Sequence, residues 1–172
     1  MEISLLSGDA LRIKGKKSIL LVDVLDTAKT EANAYLFLTQ DMLQAKADKK
    51  TLLIGAPGDY EVSGIKISTI RSGGALVYSL IIDGIKVLLT STATFVTMKD
   101  KVDETHVVLF FANSTIDQTA ITNISPSVVV CYGEKAKEVS KTFLTDAEIK
   151  PVDKFSVTAE KLPAEMQVVL LG

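Results

Sequence analysis

Short apolar runs separated by turn residues recur along the chain, and this pattern predicts a protein built mainly of β-strands. In the first half we expect a short helix at 40–46 and hairpins, which imply antiparallel pairing. Asp83-Gly84 separates two apolar runs, and both residue types tolerate positive φ, so a two-residue turn is predicted there. The predicted strands of this half are 3–6, 10–14, 18–24, 34–39, 51–55, 60–70, 76–83 and 85–91.

The second half alternates between predicted strands and helices. We expect helices at 115–124 and 134–144, because apolar residues recur there along one helical stripe. The strand–helix–strand order favours parallel pairing. Since the sequence contains no linker and no repeat, residues 1–172 are predicted to form one α+β domain of two packed sheets flanked by helices. The predicted strands of this half are 107–111, 127–132, 155–158 and 167–171.

Composition narrows the classes of function. Apolar residues make up 47% of the chain, yet no run approaches the ~18 unbroken apolar residues of a membrane span. The net charge is −2 and no basic stripe is present, so nucleic-acid binding has little electrostatic support. The first residues lack the basic region of a signal peptide, and the single cysteine excludes an internal disulfide. We therefore expect a cytoplasmic protein.

The chain contains one histidine and one cysteine, which is too few for a zinc site of three or four such ligands. No metal or other cofactor is therefore expected, and an all-carboxylate Mg²⁺ or Ca²⁺ site stays open in principle although no Asp-x-Asp cluster indicates one. His106 shows no partner that would make it a general base, and a structural role is the simpler interpretation. Cys131 lies in an apolar run typical of a buried strand. Its place near the carboxyl end of a predicted parallel strand leaves a ligand contact open.

Residues 55–65, Gly-Ala-Pro-Gly-Asp-Tyr-Glu-Val-Ser-Gly-Ile, are similar to the G-P-G-E-Y-E-V-x-G-V segment of small prokaryotic Zn-dependent hydrolase-like proteins in the metallo-β-lactamase superfamily. Residues 3–13 resemble the opening strand pair, usually L-G-H-S-x-F-x-I. Residues 83–87 resemble the D-G-x-R-I hairpin, and 153–171 resemble the C-terminal strand, turn and strand. The resemblance covers nearly the whole chain. It implies an αββα two-sheet sandwich, trimmed because this chain is short for the fold.

The catalytic part departs from the superfamily pattern. Where relatives carry H-x-H-x-D-H, residues 39–45 read Thr-Gln-Asp-Met-Leu-Gln-Ala, and Gly8 replaces the histidine of the opening motif. The later Gly-Asp falls at Ser91-Thr92, and the last histidine of the pattern falls at about Gly133. A metal that activates water needs ligands that these positions lack, so the resemblance implies descent from Zn-dependent hydrolases without their metal chemistry. The vestigial metal-site positions are Gln40, Met42, Gln44, Ala45, Thr92 and Gly133.

The leading hypothesis is a non-catalytic assembly or interaction protein, in which Met42, Leu43 and Phe95 help to fill or cap the former cleft. A homo-oligomer, most simply a dimer, is the expected partner. The resemblance favours this as well, because active relatives often form dimers or larger assemblies.

Two alternatives belong to other classes of protein. In one, the former cleft binds a small molecule or anion without turnover, with contacts from Gly8, Cys131 and Tyr132 beside Gln40 and Thr92. In the other, Cys131 or His106 supports a metal-independent hydrolase, which requires the two side chains to lie within hydrogen-bond reach of one another.

Overall fold

The computed structural model describes residues 1–26, 30–46, 51–144 and 149–172. Within these ranges the chain forms two sheets. The six-stranded sheet has the order β12-β1-β2-β3-β4-β5. Its strands are β1 (Glu2–Leu5), β2 (Leu11–Lys14), β3 (Ile19–Val22), β4 (Ala34–Leu36), β5 (Leu53–Ile54) and β12 (Lys154–Ser156).

The seven-stranded sheet has the order β13-β11-β10-β9-β8-β7-β6. Two α-helices are described, α1 (Thr92–Met98) and α2 (Ala136–Phe143), together with 3₁₀ turns at Met42–Gln44, Lys99–Lys101, Gln118–Ile121 and Ala159–Lys161. No helix within the described ranges is long and apolar enough to cross a membrane. The strands of this sheet are β6 (Gly58–Val62), β7 (Ile65–Ser72), β8 (Ala75–Ile82), β9 (Ile85–Ser91), β10 (Val107–Phe111), β11 (Val128–Tyr132) and β13 (Gln167–Leu170).

Strand pairing changes from antiparallel to parallel along the chain, as predicted, with one exception. Strands β6 to β9 pair antiparallel, and β9, β10, β11 and β13 pair parallel. The expectation of antiparallel pairing throughout the first half is wrong for β3, β4 and β5, which pair parallel. A long connection, not a hairpin turn, joins β3 to β4. The side chain of Asn33 closes that connection by accepting from the N–H of Ile19 at 2.7 Å.

The main core lies between the sheets, where side chains that alternate along each strand face inward. Leu20 and Leu36 of the first sheet and Leu80 and Leu89 of the second are at most 1% exposed. Tyr78 crosses this core. Its hydroxyl accepts from the N–H of Phe37 at 3.0 Å and lies 2.8 and 2.9 Å from the carbonyl oxygens of Phe37 and Ile54. This buried side chain therefore ties β8 to the first sheet.

A second core fills the space between the seven-stranded sheet and its helices. Phe110 of β10 packs against Phe95 of α1 and Phe143 of α2, with ring centroids 5.1 and 6.4 Å apart. Helix α2 confirms the prediction for 134–144. Helix α1 was not predicted, because its threonines and valine disfavour a helix when considered alone. Burial of Phe95 and Met98 stabilises it in the folded chain.

The predicted helix at 115–124 is wrong. The structure has only the 3₁₀ turn Gln118–Ile121, which begins where the Asp117 carboxylate accepts from the N–H of Thr119 at 3.0 Å. The apolar spacing was informative about burial all the same, since Ile116, Ile121 and Ile124 are at most 6% exposed. The segment buries these residues without completing an α-helix. The α+β sandwich predicted from the sequence is confirmed.

Candidate functional site

The candidate site lies at the carboxyl ends of the central strands, where α/β proteins place their functional residues. Strands β9, β10 and β11 are adjacent and parallel, so Ser91, Phe111 and Tyr132 end in register with one another. Burial raises the pKa of the Tyr132 hydroxyl, and the charges of Asp23, which follows β3, and of Asp9, in the turn after β1, raise it further. The two sheets therefore bring their strand ends together at one edge of the sandwich.

Asp23 organises the first-sheet side of this edge. It follows β3 with φ of 56°, a conformation that Asp adopts more readily than most residues. Its carboxylate accepts from the N–H groups of Leu38 at 2.7 Å, Thr39 at 3.0 Å and Gln40 at 3.2 Å. It also accepts from the Thr39 hydroxyl at 2.8 Å. These bonds use both carboxylate oxygens to hold the loop after β4.

That loop carries the first four vestigial positions, and none of them faces a shared centre. Gln40 and Gln44 are exposed, and Ala45 ends the 3₁₀ turn. Met42 packs on the outer face of the first sheet, where a Cβ on Gly55 would come 2.6 Å from its sulfur. The loop therefore supplies a backbone for Asp23 to bind, and its side chains point elsewhere.

The expectation that Met42, Leu43 and Phe95 fill the former cleft is wrong. Met42 belongs to the outer apolar cluster, Leu43 is 86% exposed, and Phe95 lies in the helix-side core. The reason is the direction in which each element presents its side chains: the 3₁₀ turn projects outward, and α1 packs on the far side of the seven-stranded sheet.

Thr92 occupies the vestigial Asp position and is fully buried. Its hydroxyl accepts from the N–H groups of Asn113 at 3.2 Å and Ser114 at 3.0 Å, and donates to the Ser114 carbonyl at 2.8 Å. The N–H of Ala93 in turn donates to Asn113 Oδ1. Thr92 thus fastens the loop after β10 to the start of α1. Its donor and acceptor capacity is used within the protein.

Gly133, at the vestigial final-histidine position, has φ of 94° and lies under the ring of Phe111. A Cβ at this position would come 2.8 Å from the ring Cε2 of Phe111. The same ring packs against Tyr132, with centroids 5.6 Å apart. An aromatic side chain therefore fills the space next to Gly133.

Tyr132 is fully buried, and no described residue provides a hydrogen-bond partner for its hydroxyl. Burial raises the pKa of Tyr132 well above its ordinary value, and the charges of Asp23 and Asp9 add to that shift. The phenol therefore stays neutral at physiological pH. Gly8 lies in the exposed turn before Asp9 with φ of 57°, and open space surrounds the position of its missing Cβ.

Cys131 points away from this edge. It is fully buried in the helix-side core, and burial raises the pKa of its thiol to about 11. His106 lies at the opposite end of β10, where its Nδ1 accepts from the N–H of Lys86 at 3.1 Å. Phe110 pairs in register with Cys131, so about 13 Å of strand separates Cys131 from the level of His106. The cleft contact proposed for Cys131 and the Cys131–His106 pair are both contradicted.

The residues of this edge do not fit a zinc ion. Zinc takes imidazole, thiolate or carboxylate ligands. Within the described part of the chain, no group of three or more His, Cys, Asp or Glu side chains converges. The carboxylate of Asp23 is committed to backbone donors, and Thr92 and Gly133 offer no suitable atom. No chemical step through a metal can be assigned to these residues.

No protein-family model and no curated protein sequence matches the chain. Solved structures do. A Thermotoga maritima protein assigned as a Zn-dependent hydrolase of the metallo-β-lactamase superfamily matches with a TM-score of 0.71 and 18% identity, over 99% of this chain and 98% of that one. A Parabacteroides distasonis protein assigned as a metal-dependent hydrolase matches with a TM-score of 0.60 and 13% identity, over 99% and 93%.

A more distant likeness is to CmlA, a diiron β-hydroxylase from Streptomyces venezuelae, with a TM-score of 0.55 and 7% identity. It covers 86% of this chain and 47% of that one. At these identities the comparisons establish the fold and leave activity open. They confirm the fold predicted from residues 55–65 and from the other matching segments: this chain has the fold of the metallo-β-lactamase superfamily.

Proposed function

We propose that this protein is a non-catalytic protein of the metallo-β-lactamase fold that acts by association, with a second copy of the same chain as its partner. The supporting observation is that polar side chains at the strand ends bind the protein's own backbone. The side-chain oxygens of Asp23 and Thr92 accept hydrogen bonds from backbone N–H groups, and the ring of Phe111 lies against Gly133. A site for hydrolysis needs a positioned nucleophile and base, whereas Thr92 and Gly133, at two of the aligned positions, take part in backbone hydrogen bonding and local packing instead.

Metal-independent hydrolysis finds no support at the two residues that suggested it. Cys131 is a buried thiol whose raised pKa keeps it protonated, and a thiol reacts only as its thiolate. His106 is held at the far end of β10 by Lys86. A buried lone thiol is also compatible with a cytoplasmic location, which we propose for this protein.

Association is supported by a part of the outward sheet face that no described helix covers. The outward face of β7 and β8 carries Ile70 and Ile81, which are 45% and 43% exposed. Outward positions of an antiparallel sheet are ordinarily polar when they face water. Contact with another protein surface would remove these isoleucines from water, which stabilises a complex by roughly 25 cal/mol per Å² of apolar surface buried.

The proposal is tested by measuring mass and metal content on the same sample. The full chain is incubated with zinc, dialysed, and examined by sedimentation velocity, by elemental analysis and with ester and β-lactam substrates. We expect a concentration-dependent dimer, zinc well below one per chain, and no turnover above the zinc-only blank. Stoichiometric zinc or turnover would overturn the non-catalytic assignment. A monomer at all accessible concentrations would overturn the association.

The ligand-binding alternative keeps one specific observation in its favour. The buried hydroxyl of Tyr132 has no hydrogen-bond partner among the described residues, and such groups are normally paired. A small bound molecule at the strand ends would supply that partner. A thermal-shift screen of small polar compounds tests this alternative, which requires a stabilising compound whose effect is lost in Tyr132→Phe.

A further inference from the structure

A groove of about 670 Å³ crosses the outward face of the seven-stranded sheet, far from the strand-end site. Its floor comes from β6 to β9, and Met98 at the end of α1 together with residues 101–105 forms a wall along the β9 side. Ser68, Ser79, Ile70 and Ile81 face outward on the floor and are exposed. The floor is thus a mixed polar and apolar sheet surface that no described helix covers.

Charges are distributed unevenly across this groove. In one row of the sheet, Glu61 of β6 pairs with Lys66 of β7, Lys66 with Ile81 of β8, and Ile81 with Lys86 of β9. All four side chains are exposed. The row therefore begins with a carboxylate on the β6 side and ends with an ammonium on the β9 side. A surface with this order is complementary to itself after a half-turn.

We propose that this groove is the surface through which two copies of the chain associate face to face. The two-fold axis would lie in the interface, parallel to β7 and β8 and above the gap between these two strands. This inference rests on the proposed function and specifies its interface. The half-turn places β6 of each copy over β9 of the other. Glu61 then faces Lys86 of the second copy, and the relation is reciprocal because a two-fold interface uses the same patch twice. Ile81 of each copy then packs on the methylene groups of Lys66 of the other copy.

The wall carries charges of both signs. Lys101 projects from it and is exposed on the β9 side, so the half-turn brings it towards the acidic β6 edge of the second copy, where Asp59 precedes Glu61. Asp103 and Glu104 also line the wall. Four carboxylates and three ammonium groups line the groove, so a second copy meets a nearly balanced set of charges. The face is only four strands wide, and a reversible dimer is expected.

Charge reversal tests the interface without disturbing the core, since Glu61 and Lys86 are both exposed. Glu61→Lys and Lys86→Glu each place like charges in contact twice per dimer. Each should raise the dimer dissociation constant at least about tenfold in sedimentation equilibrium at low salt. The double variant, Glu61→Lys with Lys86→Glu, restores opposite charges and should return the constant to within about threefold of the original.

Matched controls lie on α2, outside the groove. Lys137→Glu and Glu138→Lys make the same charge changes at exposed positions and should leave dimerisation unchanged. A dimer that responds to the groove variants no more than to these controls would overturn the interface and leave the proposed association standing. A protein that is monomeric before any substitution would overturn both. A small molecule seen in native mass spectra, lost in Ile81→Lys, would assign the groove to a ligand and overturn the dimer surface.

Discussion

The ring of Phe111, the last residue of β10, lies directly against Gly133, which follows the end of the neighbouring parallel strand β11. Gly133 adopts φ of 94°, which strains any side chain, and the ring leaves no room for one. The position that would carry the fold's last histidine therefore demands glycine for two independent reasons. The absence of a side chain at this position and the placement of Phe111 belong to the same local arrangement.

The first prediction concerns this contact. Gly133→Ala should lower the free energy of unfolding by about 2 kcal/mol or more, because strain at positive φ adds to the overlap with Phe111. The measurement is urea unfolding followed by circular dichroism. Gly64→Ala is the matched control, since Gly64 has φ of 80° with nothing within 4 Å of a Cβ. It should lose only the strain, about 1 kcal/mol.

A double-mutant cycle separates the two causes. Phe111→Leu removes the ring, so Gly133→Ala should be less damaging by about 1 kcal/mol in that background, whereas Gly64→Ala should be unaffected. Equal losses for Gly133→Ala in both backgrounds would show that Phe111 does not restrict the site.

The second prediction compares two buried tyrosines. Tyr78→Phe removes a hydroxyl that bonds the backbone of Phe37 and Ile54, and should cost about 1–3 kcal/mol because those groups lose their partner. Tyr132→Phe removes a hydroxyl without a described partner and should be neutral or stabilising by up to about 2 kcal/mol. Thermal and urea unfolding of both variants provide the measurement. A clear loss in Tyr132→Phe would indicate a partner for that hydroxyl, such as a bound molecule.

The third prediction concerns Asp23. Asp23→Asn keeps the shape and tolerates positive φ, yet its amide nitrogen cannot accept hydrogen bonds that the second carboxylate oxygen now receives from Thr39. We expect a loss of about 2–3 kcal/mol in urea unfolding, together with faster hydrogen exchange at Leu38 and Gln40. Asp41→Asn serves as control, because Asp41 caps an exposed turn through Leu43 and should cost under about 1 kcal/mol. Equal losses at the two positions would contradict the special role of Asp23.

The fourth prediction is a loss of stability in alkali. Burial raises the pKa of Cys131 to about 11 and raises the pKa values of Tyr78 and Tyr132 above their ordinary value of 10.0. The unfolded chain therefore releases these protons first, and the native state binds more protons. The stabilising contribution of these groups is fully present below about pH 8.5. The free energy of unfolding decreases first as the cysteine of the unfolded chain ionises. It decreases further above about pH 10, as the tyrosines of the unfolded chain ionise.

Each group contributes a slope of up to about 1.36 kcal/mol per pH unit. Urea unfolding from pH 8 to 11 measures the combined slope. Cys131→Ala should remove the first part of the decline, and Tyr132→Phe should shallow the part above about pH 10. A stability curve that is flat to pH 11 would contradict the burial of these groups.

Much of the fold could be predicted because its strands carry strong local signals. Asp83 and Gly84 adopt φ of 51° and 80°, as the two-residue turn between β8 and β9 requires. Elements that depend on tertiary packing were harder. Helix α1 forms although its threonines disfavour a helix, because Phe95 and Met98 are buried. The segment around Ile116 and Ile121 buries an apolar stripe without forming the predicted helix.

The sequence singled out positions at the strand ends but not their surroundings, and their role as a site stays a prediction. Motif spacing led to Thr92 and Gly133, and the order of parallel strands explains why both lie at one edge of the sandwich. Which way a side chain points depends on contacts between distant segments. Nothing local indicated that Asp23 would bind the loop after β4, that Phe111 would cover Gly133, or that Cys131 would face α2.

Strand β6 ends the seven-stranded sheet, and its outward side chains Asp59 and Glu61 are both carboxylates. The free backbone groups of an edge strand can pair with a strand of another chain, edge to edge, which leads to fibres and precipitates. Two negative charges spaced along a short strand repel an identical strand that approaches edge to edge. We therefore expect these two charges to oppose edge-to-edge association of the chain, and expect their simultaneous neutralisation to increase aggregation.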